Sequence, residues 1–221
     1  IVIKRKKKTF SGDYISGLAT NIEIHPENDD LIYLGTNGYG LFKVDTTEPF
    51  SDKSIVAELN SNLPSVNIQG PGALQANCFP AGTLYVSTLN GGVYKSHDDG
   101  KTWQGITPDH KFTFGMAVDC DDTKRIFVAL PQKGVLLSED GGINWNYSQL
   151  PGKAPEHIAS NVVAIDPNDK QKIYVGTSAY DFRAADGLFI SVDGGRTFSR
   201  LETGLPLVNI FSFAPGFGTH C

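Results

Sequence analysis

The sequence contains no apolar run approaching the roughly 18–20 residues that a membrane-spanning helix needs, and no span is expected. It has one methionine and five arginines, and its formal net charge is −5, so the basic footprint of a nucleic-acid binder is missing. Cysteines are few. Cys78, Cys120 and Cys221 form neither a CxxC pair nor a metal-type spacing, and an odd number leaves at least one without a partner inside the chain. No glycine-rich phosphate loop opens a helix: "NGYG" (37–40) and "LNGG" (89–92) lie between strand-like runs. No stretch shows sustained 3.6-residue periodicity. No cofactor and no metal are expected.

Lys4-Arg5-Lys6-Lys7-Lys8 is the one strong charge run. A secretory signal would continue it with an apolar stretch, whereas Thr9-Phe10-Ser11-Gly12-Asp13 follows. The run is read as a solvated strand edge, a place where lysines commonly guard against unwanted pairing. The first residue is Ile1, which leads us to expect a processed or truncated product. Asn146-Tyr147-Ser148 fits the glycosylation acceptor pattern, which matters only in a secreted protein.

Glycine is abundant, at 24 residues, and much of it recurs in register. Three boxes share the form Ser-x-Asp-x-Gly-x-Thr/Asn-aromatic: "SHDDGKTW" (96–103), "SEDGGINW" (138–145) and "SVDGGRTF" (191–198). A glycine and an apolar pair precede each one, at Gly92, Gly134 and Gly187. A weaker relative runs from Gly40 through Asp45 to Phe50. Upstream lie "LIYLGT" (31–36), "TLYVST" (83–88), "RIFVAL" (125–130) and "KIYVGT" (172–177). Before those come "TNIEIHP" (20–26), "ALQANCF" (73–79), "FGMAVDC" (114–120) and "NVVAIDP" (161–167).

Short β-rich runs bounded by Gly, Asp and Pro are strand signals. Four strands in each unit of roughly 40–50 residues predict an all-β fold, a β-propeller of four-stranded blades. Named A to D from axis to rim, the strands form four complete blades at approximately 18–60, 70–107, 112–150 and 159–203. Residues 1–17 and 207–221 are expected to be partial blades, with "VIKRKKKTF" (2–10) a hairpin remnant and "VNIFSFAP" (208–215) a lone strand A. The expectation is one propeller domain or a fragment of one, its remaining blades supplied by a longer chain.

Each box would sit on the turn between strands C and D. There Gly100, Gly142 and Gly195 supply positive φ. Asp98, Asp140 and Asp193 accept hydrogen bonds from turn amides, and Ser96, Ser138 and Ser191 add bonds across the turn. Trp103, Trp145 and Phe198 pack the turn against the blade. A need repeated in blade after blade is architectural, so the boxes are read as staples.

The boxes, together with "DPNDKQKIYVGT" (166–177), resemble the Asp-box (BNR-repeat) propellers from about Leu18 to Pro215. That group includes sialidases, xyloglucan-active glycoside hydrolases, sortilin-type receptors and photosystem II assembly factors. Sialidase resemblance would require an arginine triad and an Arg-Ile-Pro segment, and the second is missing. The pairing of "IHPENDDLIYLGT" with "VAIDPNDKQKIYVGT" is similar to the xyloglucanase, sortilin-type and assembly-factor branch.

With the boxes on one face, recognition would occupy the opposite one, where B–C and D–A loops vary over a rigid scaffold. The elongated B–C loop "SAYDFRAADG" (178–187) offers Tyr180, Asp181, Phe182 and Arg183 as ligand-binding candidates. Asn37, Tyr39 and Asn90 would add a sugar- or peptide-binding rim. A glycosidase needs two carboxyls about 5–5.5 Å apart for retention or about 6.5–9.5 Å for inversion, and Asp109, Glu156 and Asp181 are the available suppliers. His110 and His157 are single residues on separate loops and form no metal set. Three functions stay open: a rigid module binding a protein or carbohydrate ligand, a glycoside hydrolase of β-glucans, and a fragment of a sortilin-like receptor. An extracellular or otherwise extracytoplasmic location is expected.

Overall fold

In a computed structural model the described residues are 2–6, 14–47, 54–68, 72–78, 80–107, 113–131, 134–152, 158–179, 187–201, 204 and 210. They form four antiparallel sheets, each a meander in which sequential strands pair. The first sheet comprises β1 (Val2–Lys6), β2 (Tyr14–His25), β3 (Asn28–Asn37), β4 (Gly40–Asp45) and β5 (Ile55–Glu58). The second comprises β6 (Leu74–Cys78), β7 (Thr83–Thr88), β8 (Gly92–Ser96) and β9 (Gln104–Gly105). β10 (Met116–Val118), β11 (Ile126–Leu130), β12 (Gly134–Ser138) and β13 (Asn146–Ser148) make the third. β14 (Ile158–Ile165), β15 (Ile173–Ala179), β16 (Leu188–Ser191) and β17 (Ser199–Arg200) make the fourth.

The stretch read as a hairpin remnant differs from that expectation. β1 pairs antiparallel with the start of β2, from Val2↔Leu18 to Lys6↔Tyr14, and so becomes a fifth, edge strand of the first sheet. Lys4, Arg5 and Lys6 therefore stand on the outermost strand of that sheet among the described residues.

Contacts divide the chain into two compact units, Ile1–Gln69 with Ala73–Lys111, and Gly70–Gly72 with Phe112–Cys221. In the first unit Tyr33, Leu41 and Leu59 from blade one pack with Leu74, Leu84, Val86 and Trp103 from blade two. In the second unit Phe127, Val135 and Leu137 from blade three pack with Val163, Val175, Phe189 and Phe198 from blade four. Each core thus lies between two sheets. Burying one such Leu, Val or Phe contributes about 1.5–3 kcal/mol, and the alternation along each strand supplies one side chain to a given face at every second residue.

The boxes close the C–D turns by one repeated arrangement. Ser96 Oγ donates to Asp98 Oδ1 at 2.8 Å and accepts from Gly100 N at 2.9 Å. Ser138 makes the same pair of bonds at 2.9 and 2.8 Å, and Ser191 at 2.7 and 2.8 Å. The carboxylate then accepts from the backbone and side chain four residues on: Thr102 at 2.8 and 2.6 Å, Asn144 at 2.9 and 2.8 Å, Thr197 at 2.9 and 2.5 Å. Gly195 needs its glycine twice over. Its φ is +90°, and a Cβ there would lie 2.4 Å from Phe127 Cε1 on the neighbouring blade.

The aromatic ends differ among boxes. Trp103 is buried and its Nε1 donates to Leu59 O at 2.9 Å on blade one, and Phe198 is buried in the core shared with blade three. Trp145 is only half-buried, with Nε1 donating to Gly142 O of its own box at 3.1 Å. Trp103 and Phe198 stand on the second blade of their unit and reach back to the first, whereas Trp145 stands on the first blade of its own. In the weaker relative, Asp45 Oδ1 accepts from Thr47 N at 2.9 Å and from Thr47 Oγ1 at 2.6 Å, a tighter local turn.

Ser191→Ala strands the Gly195 and Asp193 amides and should cost about 1–2 kcal/mol, read as a melting-temperature drop of about 3–6 °C. Ser199→Ala, at an exposed serine, is the control, and an equal drop in both would remove the staple role. Bonds from Thr102 hold Asp98 at about 2 rather than its ordinary 3.8, and bonds from Thr197 hold Asp193 lower still. Depressed carboxylates contribute stability that is present above their unfolded value and lost below it. Melting temperature should therefore fall as pH drops below about 4, and less steeply in Asp193→Asn.

Candidate functional site

On the face opposite the boxes of the first unit, the connector from Leu59 to Ile68 runs against two B–C turns. Asn60 seats the first turn. Its Oδ1 accepts from Leu41 N at 2.8 Å and its Nδ2 donates to Tyr39 O at 3.2 Å. Gly40 N donates to Val66 O at 2.9 Å, Ile68 N donates to Thr36 O at 3.0 Å, and Asn37 and Asn67 form an isolated antiparallel bridge. The second turn is tied to the same segment, since Leu89 N donates to Asn67 O at 2.9 Å.

The structure thus assembles two short turns and a connector into one edge that carries Asn37, Tyr39, Asn67 and Asn90. Asn37 and Asn90 are exposed; Tyr39 is half-buried, packed against the cluster of Ile32, Leu34, Phe42 and Val44. Asn60 and Asn67, the residues that hold the rim together, were not among the sequence candidates.

A signal for the Asn67 segment, though not for Asn60, exists in the sequence. Leu63-Pro64-Ser65-Val66-Asn67-Ile68 recurs as Leu205-Pro206-Leu207-Val208-Asn209-Ile210. Both isoleucines do the same work. A Cβ on Gly35 would lie 2.9 Å from Ile68 Cγ2, and one on Gly176 would lie 2.6 Å from Ile210 Cγ2. Ile210 N donates to Thr177 O at 2.9 Å, as Ile68 N does to Thr36 O. Glycine at each site lets the connector approach the sheet closely.

Threonines clamp the base of three B–C turns. Thr36 Oγ1 donates to Gly40 O at 2.8 Å, Thr88 Oγ1 to Gly92 O at 3.2 Å, and Thr177 Oγ1 to Gly187 O at 2.9 Å. The elongated loop 178–187 therefore springs from a pinned base, at which Thr177 N also donates to Gly187 O at 3.1 Å. Tyr180, Asp181, Phe182 and Arg183 lie outside the described residues, as do Asp109, His110, Glu156 and His157.

Among the described residues no group of three His, Cys, Asp or Glu side chains is placed to hold a metal ion. Cys78 and Cys120 are each disulfide-bonded, so neither offers a thiol. Asn146 of the glycosylation triplet is exposed, while Ser148 is buried and donates to Gly195 O at 2.6 Å. The box aspartates use their oxygens on their own turns and sit well below the ordinary carboxylate range, conditions that suit a fixed anion rather than a proton donor.

Comparison with known proteins adds the following. A xyloglucanase of Hypocrea jecorina is 29% identical over 143 residues, covering 55% of this chain and 16% of that protein. A xyloglucanase of Acetivibrio thermocellus is 30% identical over 155 residues, covering 61% of this chain and 18% of that protein. The chain spans less than a quarter of the length of these curated relatives. Among solved structures, an ancestral GH74 enzyme superposes with a TM-score of 0.63 at 16% identity, over 84% of this chain and 24% of that one. The GH74 xyloglucanase of Xanthomonas campestris superposes with a TM-score of 0.58 at 20% identity, over 86% of this chain and 31% of that one. These structural likenesses establish the fold as a β-propeller of four-stranded blades. Residues 91–214, which make up 124 of the 221 residues, match the family model described as Sortilin, neurotensin receptor 3 (Sortilin-Vps10), and the chain belongs to this family.

Proposed function

We propose that this chain is the β-glucan-recognising part of a propeller glycoside hydrolase, with xyloglucan-type polysaccharide as its ligand class. The observation that carries the reading is that the curated relatives it matches are xyloglucanases. The amide-and-aromatic rim of Asn37, Tyr39 and Asn90 supports it from the side of chemistry. The three boxes are read as Asp-box (BNR) repeats whose work is structural. Asp181, Glu156 and Asp109 are the proposed carboxyl suppliers, and Tyr180, Phe182 and Arg183 the proposed ligand contacts of the longest loop. Disulfide-bonded Cys78 and Cys120 fit an oxidising, extracytoplasmic compartment, where a polymeric substrate is met.

A second reading follows from the family match: a sortilin-like module that captures a peptide on the same face. Xyloglucan affinity electrophoresis separates the two. Retardation by xyloglucan, lost when the gel is cast without it, supports the glycan reading; unretarded migration beside peptide capture supports the second.

Two outcomes are expected if the glycan reading holds. Asp181→Ala or Glu156→Ala should reduce reducing-sugar release by about 100-fold or more, since each general acid–base group contributes about 10²–10⁴, while retardation in the gel persists. Unchanged release in both variants would exclude them as the catalytic pair. Asn60→Ala should unseat the first B–C turn and weaken xyloglucan retention about tenfold, as expected for roughly 1.4 kcal/mol of lost positioning. Unchanged retention in a folded Asn60→Ala protein would place the binding rim elsewhere.

A further inference from the structure

Within each unit the first blade offers one sheet face to the second, and equivalent positions of the repeat make both contacts. On the offering side stand Tyr33 and Leu41 in blade one, and Phe127, Val135 and Leu137 in blade three. On the receiving side, strand A supplies Leu74 in blade two and Val163 in blade four, which are 0% and 3% exposed. Leu74 stands opposite Val86, and Val163 opposite Val175.

Blade one has a receiving face of its own. Ile22 and Ile24 stand opposite Leu34 and Ile32, so the four share the face turned away from Tyr33. Leu34 holds in "LIYLGT" the place that Val86 and Val175 hold in "TLYVST" and "KIYVGT", which makes Ile22 the counterpart of Leu74 and Val163. Yet Ile22 is 52% exposed and Ile24 55%. They extend the apolar cluster of Ile32, Leu34, Phe42 and Val44 out to solvent.

Blade four has an offering face. Tyr174 stands opposite Ile190 and Gly176 opposite Leu188, as Tyr33 stands opposite Lys43 and Gly35 opposite Leu41. Leu41 is fully buried under blade two, whereas Leu188 and Ile190 are half-buried.

The two faces also match in charge. Where blade one offers Lys43, the box turn of blade two answers with Asp99, whose Oδ2 lies 2.5 Å from the Lys43 Nζ. Asp99 is the seventh residue after the glycine that opens strand C, at Gly92. In blade four the offered residue is Leu137's counterpart Ile190, and the seventh residue after Gly40 of blade one is Thr47. Both sides of that pairing are uncharged, as are Leu137 and Gly194 between blades three and four.

We propose that the chain associates head to tail with a second copy, blade four of one molecule covering Ile22 and Ile24 of the other. The contact repeats between molecules the arrangement that joins blades inside each unit. It is heterologous, because each molecule contributes two different surfaces. Two copies supply eight blades, within the roughly four to eight of closed propellers.

Sedimentation velocity over a concentration series should show a monomer–dimer transition. Ile22→Lys with Ile24→Lys, and separately Leu188→Lys with Ile190→Lys, should each weaken association at least about 30-fold, as losses at an interface centre do. Mixing the two double variants should restore a 1:1 pair, because each keeps the surface that the other has lost. Association that survives the blade-four substitutions but not the blade-one substitutions means pairing of like faces and overturns the proposal. A chain monomeric across the whole series leaves both faces to other occupants and overturns it too. Should Leu188→Lys with Ile190→Lys fail to fold, hydrogen exchange of the unsubstituted chain decides. Protection rising with concentration in β2 and β16 together supports the contact, and a rise in β2 alone sinks it.

Discussion

A serine hydroxyl, held between a carboxylate and a glycine amide, fixes the outer turn of three of the four blades. Everything else in the architecture leans on that knot. Ser96, Ser138 and Ser191 each satisfy two backbone amides that the turn would otherwise leave without partners. Because the serines are buried, their bonds are shielded from competing water and define a single turn geometry. The turn then presents a flat glycine surface, and the neighbouring blade packs on it: Phe127 against Gly195 and Leu59 against Gly100. Local hydrogen bonding and interblade packing are therefore two parts of one constraint.

The same constraint divides the labour between faces. Carboxylates spent on their own turns have little left for a ligand, so the box side is chemically quiet. On the opposite side, threonine clamps at 36, 88 and 177 pin the bases of the B–C turns while leaving their tips free to vary. The connector through Asn60 and Asn67 converts two separate turns into a continuous edge. A rigid base under variable loops is what allows one scaffold to serve hydrolases and receptors alike, and it reconciles relatives that are xyloglucanases with membership of a sortilin family.

Asp99 shows how a repeat acquires individuality. In the other boxes the corresponding position is glycine and the turn is merely compatible with its neighbour. Here a carboxylate accepts backbone strain in order to reach Lys43 and Tyr33 on the adjoining blade. The interface between the first two blades thus adds this polar contact to its apolar core, while the one between the third and fourth joins Phe127, Phe189 and Phe198 with the Lys170–Asp119 ion pair.

The four-stranded blade, its strand order and the place of the boxes were legible from the sequence, because alternation and turn chemistry act over fewer than ten residues and need no distant partner. The pairing of β1 with β2 was not legible: a basic, weakly patterned strand carries no mark of the edge it will join. The candidate rim was half legible. Asn37, Tyr39 and Asn90 stand out as turn-tip residues, but Asn60 and Asn67 look like ordinary loop asparagines until the chain folds back and aims their groups at Leu41 and Leu89. Periodicity and turn-forming residues by themselves determined the repeating blade; tertiary structure decided which polar groups meet, since contact and desolvation depend on neighbours dozens of residues away.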